Sequence, residues 1–155
     1  YKGFDMNMQW GGTVGNDIFN AMRYYTYDLS SVTNKDVKVL NYWRADNTNT
    51  NIPRLAGKDV NDNMRISDRY VENGSYLRLR NIQLGYTFPV SLTKKAYMQK
   101  LRIYVTGQNL LTFTSYSGAD PEVGQITSTN YLSRGVDIGT YPQAMTITGG
   151  VSITF

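Results

Sequence analysis

A pair of carboxylates, a row of side-chain oxygens and three aromatic rings are the parts of this sequence with chemical potential. Asp120 and Glu122 stand two apart in "DPEVG". Paired carboxylates cleave glycosidic bonds when their surroundings push their pKa values apart. Here both fall in a stretch punctuated by Gly and Pro, with nothing in the sequence to raise one pKa, so catalysis is not expected. Asp59, Asn61 and Asn63 alternate like the ligands of a calcium loop, but Met64 stands where the turn needs Gly and Tyr70 where the bidentate Glu belongs. A solvated loop is the expectation. Tyr42, Trp43 and Tyr116 carry rings that could stack on sugars, or simply anchor a loop.

Composition removes most other chemistry. The 155 residues contain no His and no Cys, so the commonest general base, the thiolate nucleophile and the Cys-ligated zinc site are all missing. No enzyme signature remains, and no cofactor or metal is expected. The net charge of +4 is modest, and its densest cluster is Lys94, Lys95, Lys100 and Arg102 beside one turn. Nucleic-acid binding needs a broader basic stripe with aromatics interleaved, so that cluster reads as a solvated turn. Mean hydropathy is −0.42. No apolar run approaches the ~20 residues of a membrane helix, although barrel strands, apolar at every second residue, pass unseen by that criterion.

The elements that would hold these residues are strands. "KGFDMNMQWGG" sets Phe4, Met6, Met8 and Trp10 against Asp5, Asn7 and Gln9. "SYLRLRNIQLGYTF" has Ile82, Leu84, Tyr86 and Phe88 in phase, while Leu77 and Leu79 are out of step; a β-bulge near Arg80 and Asn81 would account for the slip, as would passage into the headgroup zone. "KLRIYVTGQNLLTFTSY" sets Leu101, Ile103, Val105, Leu111 and Phe113 against Arg102, Thr106, Gln108 and Thr112. "MTITGGVSITF" places Met145, Ile147, Val151, Ile153 and Phe155 on one face and Thr146, Thr148, Ser152 and Thr154 on the other. Period-two alternation rich in β-branched and aromatic residues predicts strands near 3–14, 75–88, 100–114 and 143–155.

The connections are unequal. Residues 88–100 form a short link in which Pro89 ends a strand and Ser91 is placed to cap a helical turn. Residues 16–74 form a long loop. Within it Ile18, Met22, Tyr25 and Leu29 recur at helical intervals, predicting a helix over 17–29 capped by Asn16 or Asp17. "NKDVKVLNYW" predicts a second short helix, and "RADNTNTNIPRLAGKDVNDN" reads as irregular. Residues 115–142 form the other long loop. Long loops alternating with a short turn, between strands this long, is the asymmetry of an outer-membrane barrel.

"SYLRLRNIQLGYTFPVSLTKK", "KLRIYVTGQNLLTFT", "GADPEVG" and "GVDIGTYPQAMTITGGVSITF" closely resemble the C-terminal end of the SusC/RagA family of TonB-dependent outer-membrane transporters. "YKGFDMNMQWGGTVGNDIFN" and "NYWRADNTNTNIPRL" look like the preceding strand and loop of the same family. The resemblance implies an all-β fold: an antiparallel meander of four long strands, the last of a 22-stranded transmembrane barrel, with long extracellular loops carrying short helices. Residues 1–155 would all belong to the barrel domain, without plug or TonB box. Starting at Tyr1 without a start Met or signal peptide, the chain looks like a mature product or a fragment.

The resemblance further implies a bacterial outer-membrane importer working with a surface lipoprotein of the SusD type, powered through TonB and taking up oligosaccharides. Oligopeptide cargo, as in the RagA branch, is the alternative; a soluble secreted β-module binding carbohydrate is a third reading. A bacterial transporter gives no reason to expect glycosylation at the acceptor-like "NGS", residues 73–75. Met6, Met8, Ile82, Leu84, Ile103, Val105, Ile147, Val151 and Ile153 are expected to face lipid, with Thr148 in the lumen. Phe155 would end the closing strand near the periplasmic rim, as part of the signal read by the barrel-assembly machinery. Tyr42, Trp43, Arg44, Tyr116, Asp120 and Glu122, on the extracellular loops, would be available to the lipoprotein or to cargo, with the lipoprotein preferred.

Overall fold

In a computed structural model of the protein, residues 2–123 and 135–155 are described. Along the chain these form β1 (Phe4–Thr13), β2 (Asp17–Asn20), α1 (Ala21–Thr26), β3 (Val71–Asn73), β4 (Tyr76–Thr87), α2 (Val90–Thr93), β5 (Lys100–Thr114), β6 (Val136–Asp137) and β7 (Thr146–Thr154). The chain separates into two compact units. One contains residues 1–15, 75–115 and 142–155; the other contains 16–74 and 116–141.

The first unit is a four-stranded antiparallel meander in the order β1-β4-β5-β7. The observed strands fall within the ranges predicted from alternation. Register explains why the slip at Leu77 and Leu79 does no harm. Met8 opposes Ile82 and Trp10 opposes Leu79, so two steps on β1 match three on β4, and Arg80 is the extra residue. Beyond this bulge Leu77 and Leu79 join the face of Ile82, Leu84 and Tyr86. On β5 the same interval takes four steps, from Gly107 to Leu111, an even number that keeps Val105 and Phe113 on one face.

One face of the sheet is therefore apolar from edge to edge. Met6, Leu84, Val105, Ile147, Val151 and Ile153 on it are all exposed, and Ile82 is half-buried. Aromatic residues mark both ends of this face. Phe4, Tyr86 and Phe88 cluster at one end, with ring centroids 4.6 and 4.9 Å apart, and Trp10 stacks on Phe113 at 6.4 Å at the other. A 12-residue β4 is roughly 40 Å long, and a tilt near 40° makes it span roughly 30 Å, enough for an apolar band between two aromatic girdles. A soluble sandwich would cover such a face with a second sheet, and this unit contains none. β1 and β7 have one strand neighbour each among the described residues. Hydrocarbon does not tolerate such open edges, and barrel closure removes them.

The second unit contains a small sheet, β3-β2-β6, in which β2 pairs antiparallel with β3 and parallel with β6. Here two sequence-based expectations are corrected. The helix foreseen over 17–29 is reduced to α1, because Ile18 and Phe19 pair with Glu72 and Val71 instead of continuing a helical face. Its cap is Asn20, whose side chain accepts the N–H of Arg23 at 2.8 Å, in place of Asn16 or Asp17. The second short helix expected in "NKDVKVLNYW" is present, as a 3-10 segment, Val37–Asn41, capped by Asp36. In the first unit Ser91 lies inside α2, whose cap position is Pro89, so it does not cap the turn. A core of Tyr27, Val39 and Ile52, flanked by Leu29 and Tyr42, holds the second unit's long loop. No helix among the described residues is long and apolar enough to cross a membrane.

Candidate functional site

The second face of the large sheet is polar, and its groups are tied across strands. Arg102 on β5 reaches over β4 to Asp5 on β1, donating from Nε at 3.1 Å and from Nη2 at 2.5 Å, and Nη2 also donates to Gln83 at 3.2 Å. The corridor exists because residue 85 is Gly: a Cβ there would collide with the Arg102 guanidinium and lie 2.7 Å from the Asp5 carboxylate. Gln83 also donates to Thr106 at 3.0 Å. Thr106 in turn opposes Thr148. Arg102 thus leaves the basic cluster foreseen at the turn, where Lys94, Lys95 and Lys100 remain exposed. Bidentate geometry and neighbouring donors give this face fixed polar order, as suits the wall of an aqueous lumen.

The second unit is organised around Glu72 on β3. Its Oε1 accepts from Asn20 Nδ2 at 3.1 Å, Arg23 Nη1 at 3.2 Å and Ser117 Oγ at 2.8 Å, and its Oε2 accepts the Ser117 N–H at 3.0 Å. Burial pushes this carboxyl up, but the Ser117 hydroxyl and N–H, with Asn20 and Arg23, outweigh it and hold the group below the usual carboxylate range. A depressed folded-state pKa stabilises the unit above the ordinary value near 4.5 and is lost as pH falls through the folded value. Glu72→Gln should therefore weaken local stability by about 1–3 kcal/mol at neutral pH. It should also flatten the acid dependence. Hydrogen exchange at the Ser117 amide in the full receptor measures both; unchanged exchange would remove Glu72 from this role.

The residues singled out for chemistry are not brought together. Asp120 is buried, 2% exposed, and its Oδ1 accepts the N–H of the half-buried Glu122 at 2.8 Å. Tyr116, 6% exposed, donates from its hydroxyl to Asp137 Oδ2 at 2.6 Å, and Asp137 Oδ1 accepts the N–H groups of Gly139 and Thr140 at 2.9 and 2.8 Å. Burial raises the Tyr116 phenol well above its ordinary value, and its bond to Asp137 raises it further. Tyr116 and Asp120 thus serve the interior, which narrows the surface foreseen for a partner or cargo. Asp59 turns on its own loop, accepting the N–H groups of Asn63 at 2.8 Å and Met64 at 2.7 Å. Phe155, just beyond β7, is exposed. Part of the second long loop, residues 124–134, lies outside the described residues.

Tyr42, Trp43 and Arg44 do meet, at a knot of backbone bonds. Arg44 and Asn47 exchange N–H···O=C bonds at 3.1 and 3.0 Å, and Trp43 N–H donates to the Ile52 carbonyl at 3.0 Å. Thr50 Oγ1 donates to the Asn41 carbonyl at 2.6 Å, closing the loop. Arg44 lies 4.9 Å over the Tyr42 ring and pairs with Asp46 at 3.4 Å. Trp43 stays 41% exposed between two grooves of about 660 and 540 Å³, within the range of ligand sites. Arg54 and Leu55 line both grooves, and Lys58 lines the larger. Sequence reasoning passed over Arg54 and Lys58, reading "PRLAGK" as irregular; the clue was two cations beside Pro and Gly, close after an exposed Trp.

No family model matches the chain. TonB-dependent receptor P3 of Formosa agariphila is 43% identical over the whole chain, and TonB-dependent receptor SusC of Bacteroides thetaiotaomicron is 32% identical, again over all of it. The chain spans only 15% and 14% of the lengths of these two relatives. Among solved structures, the RagAB peptide importer in its closed-closed state superposes with a TM-score of 0.82 and 32% identity, covering 100% of this chain and 16% of that one. Its open-open state gives the same TM-score and identity. These relatives share the whole described span, from the exposed apolar strands to the loop unit. By sequence and by fold, this chain is an outer-membrane barrel segment and belongs to the SusC/RagA family of TonB-dependent receptors.

Proposed function

We propose that the chain is part of the wall and outer loops of a 22-stranded, TonB-dependent importer that takes up oligosaccharides with a SusD-type surface lipoprotein. The observation that carries this reading is the sheet itself: an exposed apolar face bounded by aromatic girdles, backed by an ordered polar face. A wall of that kind separates lipid from an aqueous path and needs no catalytic group. Both chain excursions leave and rejoin the sheet at the end where Thr13, Tyr76 and Thr114 align, opposite the short 88–100 turn. Barrel asymmetry makes that end extracellular.

Val37 and Leu40 stand exposed on the loop at 74% and 70%, with Tyr42 and Leu55 beside the same groove. Such an apolar patch with a charged rim, including Lys35 and Asp36, suits the lipoprotein partner. Trp43, with amide and cationic side chains around it, suits a sugar ring. Exchanging residues 35–56 for a Gly/Ser linker should leave barrel assembly intact and weaken lipoprotein association and import together. Partner pull-down and growth on the cargo are measured side by side; unchanged results in both would leave the loop without this role. Oligopeptide cargo is a second reading, favoured by the match to the RagAB peptide importer.

A further inference from the structure

The grooves beside Trp43 differ in charge from an ordinary sugar platform. Arg54 lines both and Lys58 the larger, and among the described residues neither has a side-chain hydrogen-bond or ion-pair partner. Among the described residues, no acidic side chain lines either groove. Of the acids flanking these cations in sequence, Asp46 pairs with Arg44 at 3.4 Å, both oxygens of Asp59 accept backbone N–H groups of its own loop, and Asp62 lines neither groove. The rest of the larger groove is neutral and polar or apolar, with Asn51, Asn61 and Leu55 among its lining.

Neutral sugars are gripped by aromatic faces and by amide, carboxylate or cationic hydrogen-bonding groups, but they offer two unpaired cations no opposite charge. A cation without a partner beside an exposed ring instead favours a ligand with both a flat apolar face and an anionic substituent. We infer that the Trp43–Arg54–Lys58 surface binds acidic oligosaccharides, with a ring over Trp43 and sulfate or carboxylate substituents against Arg54 and Lys58. Arg presents paired donors to two oxygens of either anion, and Lys adds a mobile point charge. The loop is fixed before ligand arrives, since the Arg44–Asn47 bonds, the Trp43–Ile52 bond and the Thr50–Asn41 bond hold the ring in place. The inference rests on the oligosaccharide reading above and names the class of sugar.

The test uses the full receptor with its lipoprotein in detergent, offered dextran sulfate oligosaccharides, unsulfated dextran oligosaccharides of equal length, casein tryptic peptides and purified lipopolysaccharide. Folding of each variant is checked by its heat-modifiable barrel band. The sulfated sugar should be held at least about tenfold more tightly than the unsulfated one, a preference of about 1.4 kcal/mol. Arg54→Gln with Lys58→Gln should remove that preference and reduce its salt dependence. Trp43→Ala should weaken both sugars. Equal retention of the two dextrans, or a preference unchanged in the double variant, would overturn the inference while leaving oligosaccharide import standing. Loss of lipopolysaccharide binding alone in the double variant would assign the cations to membrane-surface phosphates and overturn it also. Retention of peptides only would overturn both the inference and the reading beneath it.

Discussion

Ile147→Arg should cost the receptor's barrel about 2–4 kcal/mol and deplete the folded form in the outer membrane, whereas Thr148→Arg should be close to silent. Ile147 opposes Gly107 on β5, Gly107 opposes Ile82 on β4, and Ile82 opposes Met8 on β1. This row lies between the Phe4–Tyr86–Phe88 and Trp10–Phe113 girdles, close to the middle of the apolar band. An Arg there is too far from either interface to reach water easily. Thr148 is the next residue along from Ile147, and the alternation of strands puts it on the opposite face, beside Thr106. An Arg at Thr148 stays in water with hydroxyls and amides around it. The fraction of receptor migrating as a heat-modifiable barrel in outer-membrane preparations reads the difference. Equal damage from the two substitutions would mean that the faces are wrongly assigned.

Much of the sheet was legible because barrel strands write their geometry in period two. Even the bulge left a mark, as the phase of Leu77 and Leu79 against Ile82 and Leu84 requires one extra residue, which the register assigns to Arg80. The second unit was less legible, for a physical reason. Ile18 and Phe19 fit a helical spacing locally, and only pairing with Val71, Glu72 and Val136, distant in sequence, makes them a strand. Long-range pairing overrides local preference and leaves no periodic signature. Burial of Tyr116 and Asp120 was hidden in the same way. Their polar groups look available in sequence until Asp137 and the Glu122 N–H take them up. Glu72 gave no signal either, since its four hydrogen bonds come from Asn20, Arg23 and Ser117, none of them its sequence neighbour. The Asp5–Arg102 pair shows the opposite case: each residue sits at a polar position of an alternating strand, so its face was readable, while its partner across Gly85 was not.

The central claim is that one face of the four-stranded sheet meets lipid and the other meets water. Because this chain contains no Cys, single Cys substitutions in β5 report their own surroundings, provided the rest of the receptor is made Cys-free. Leu101, Ile103 and Val105 alternate with Arg102, Tyr104 and Thr106. Each Cys variant of the full receptor, reconstituted in vesicles, is treated with a membrane-impermeant maleimide and with a lipid-soluble one. Positions 101, 103 and 105 should react with the lipid-soluble reagent and resist the impermeant one, while 102, 104 and 106 should show the reverse. Reaction of all six positions with the impermeant reagent alike, or alternation in the opposite phase, would contradict the assignment of this sheet to a barrel wall.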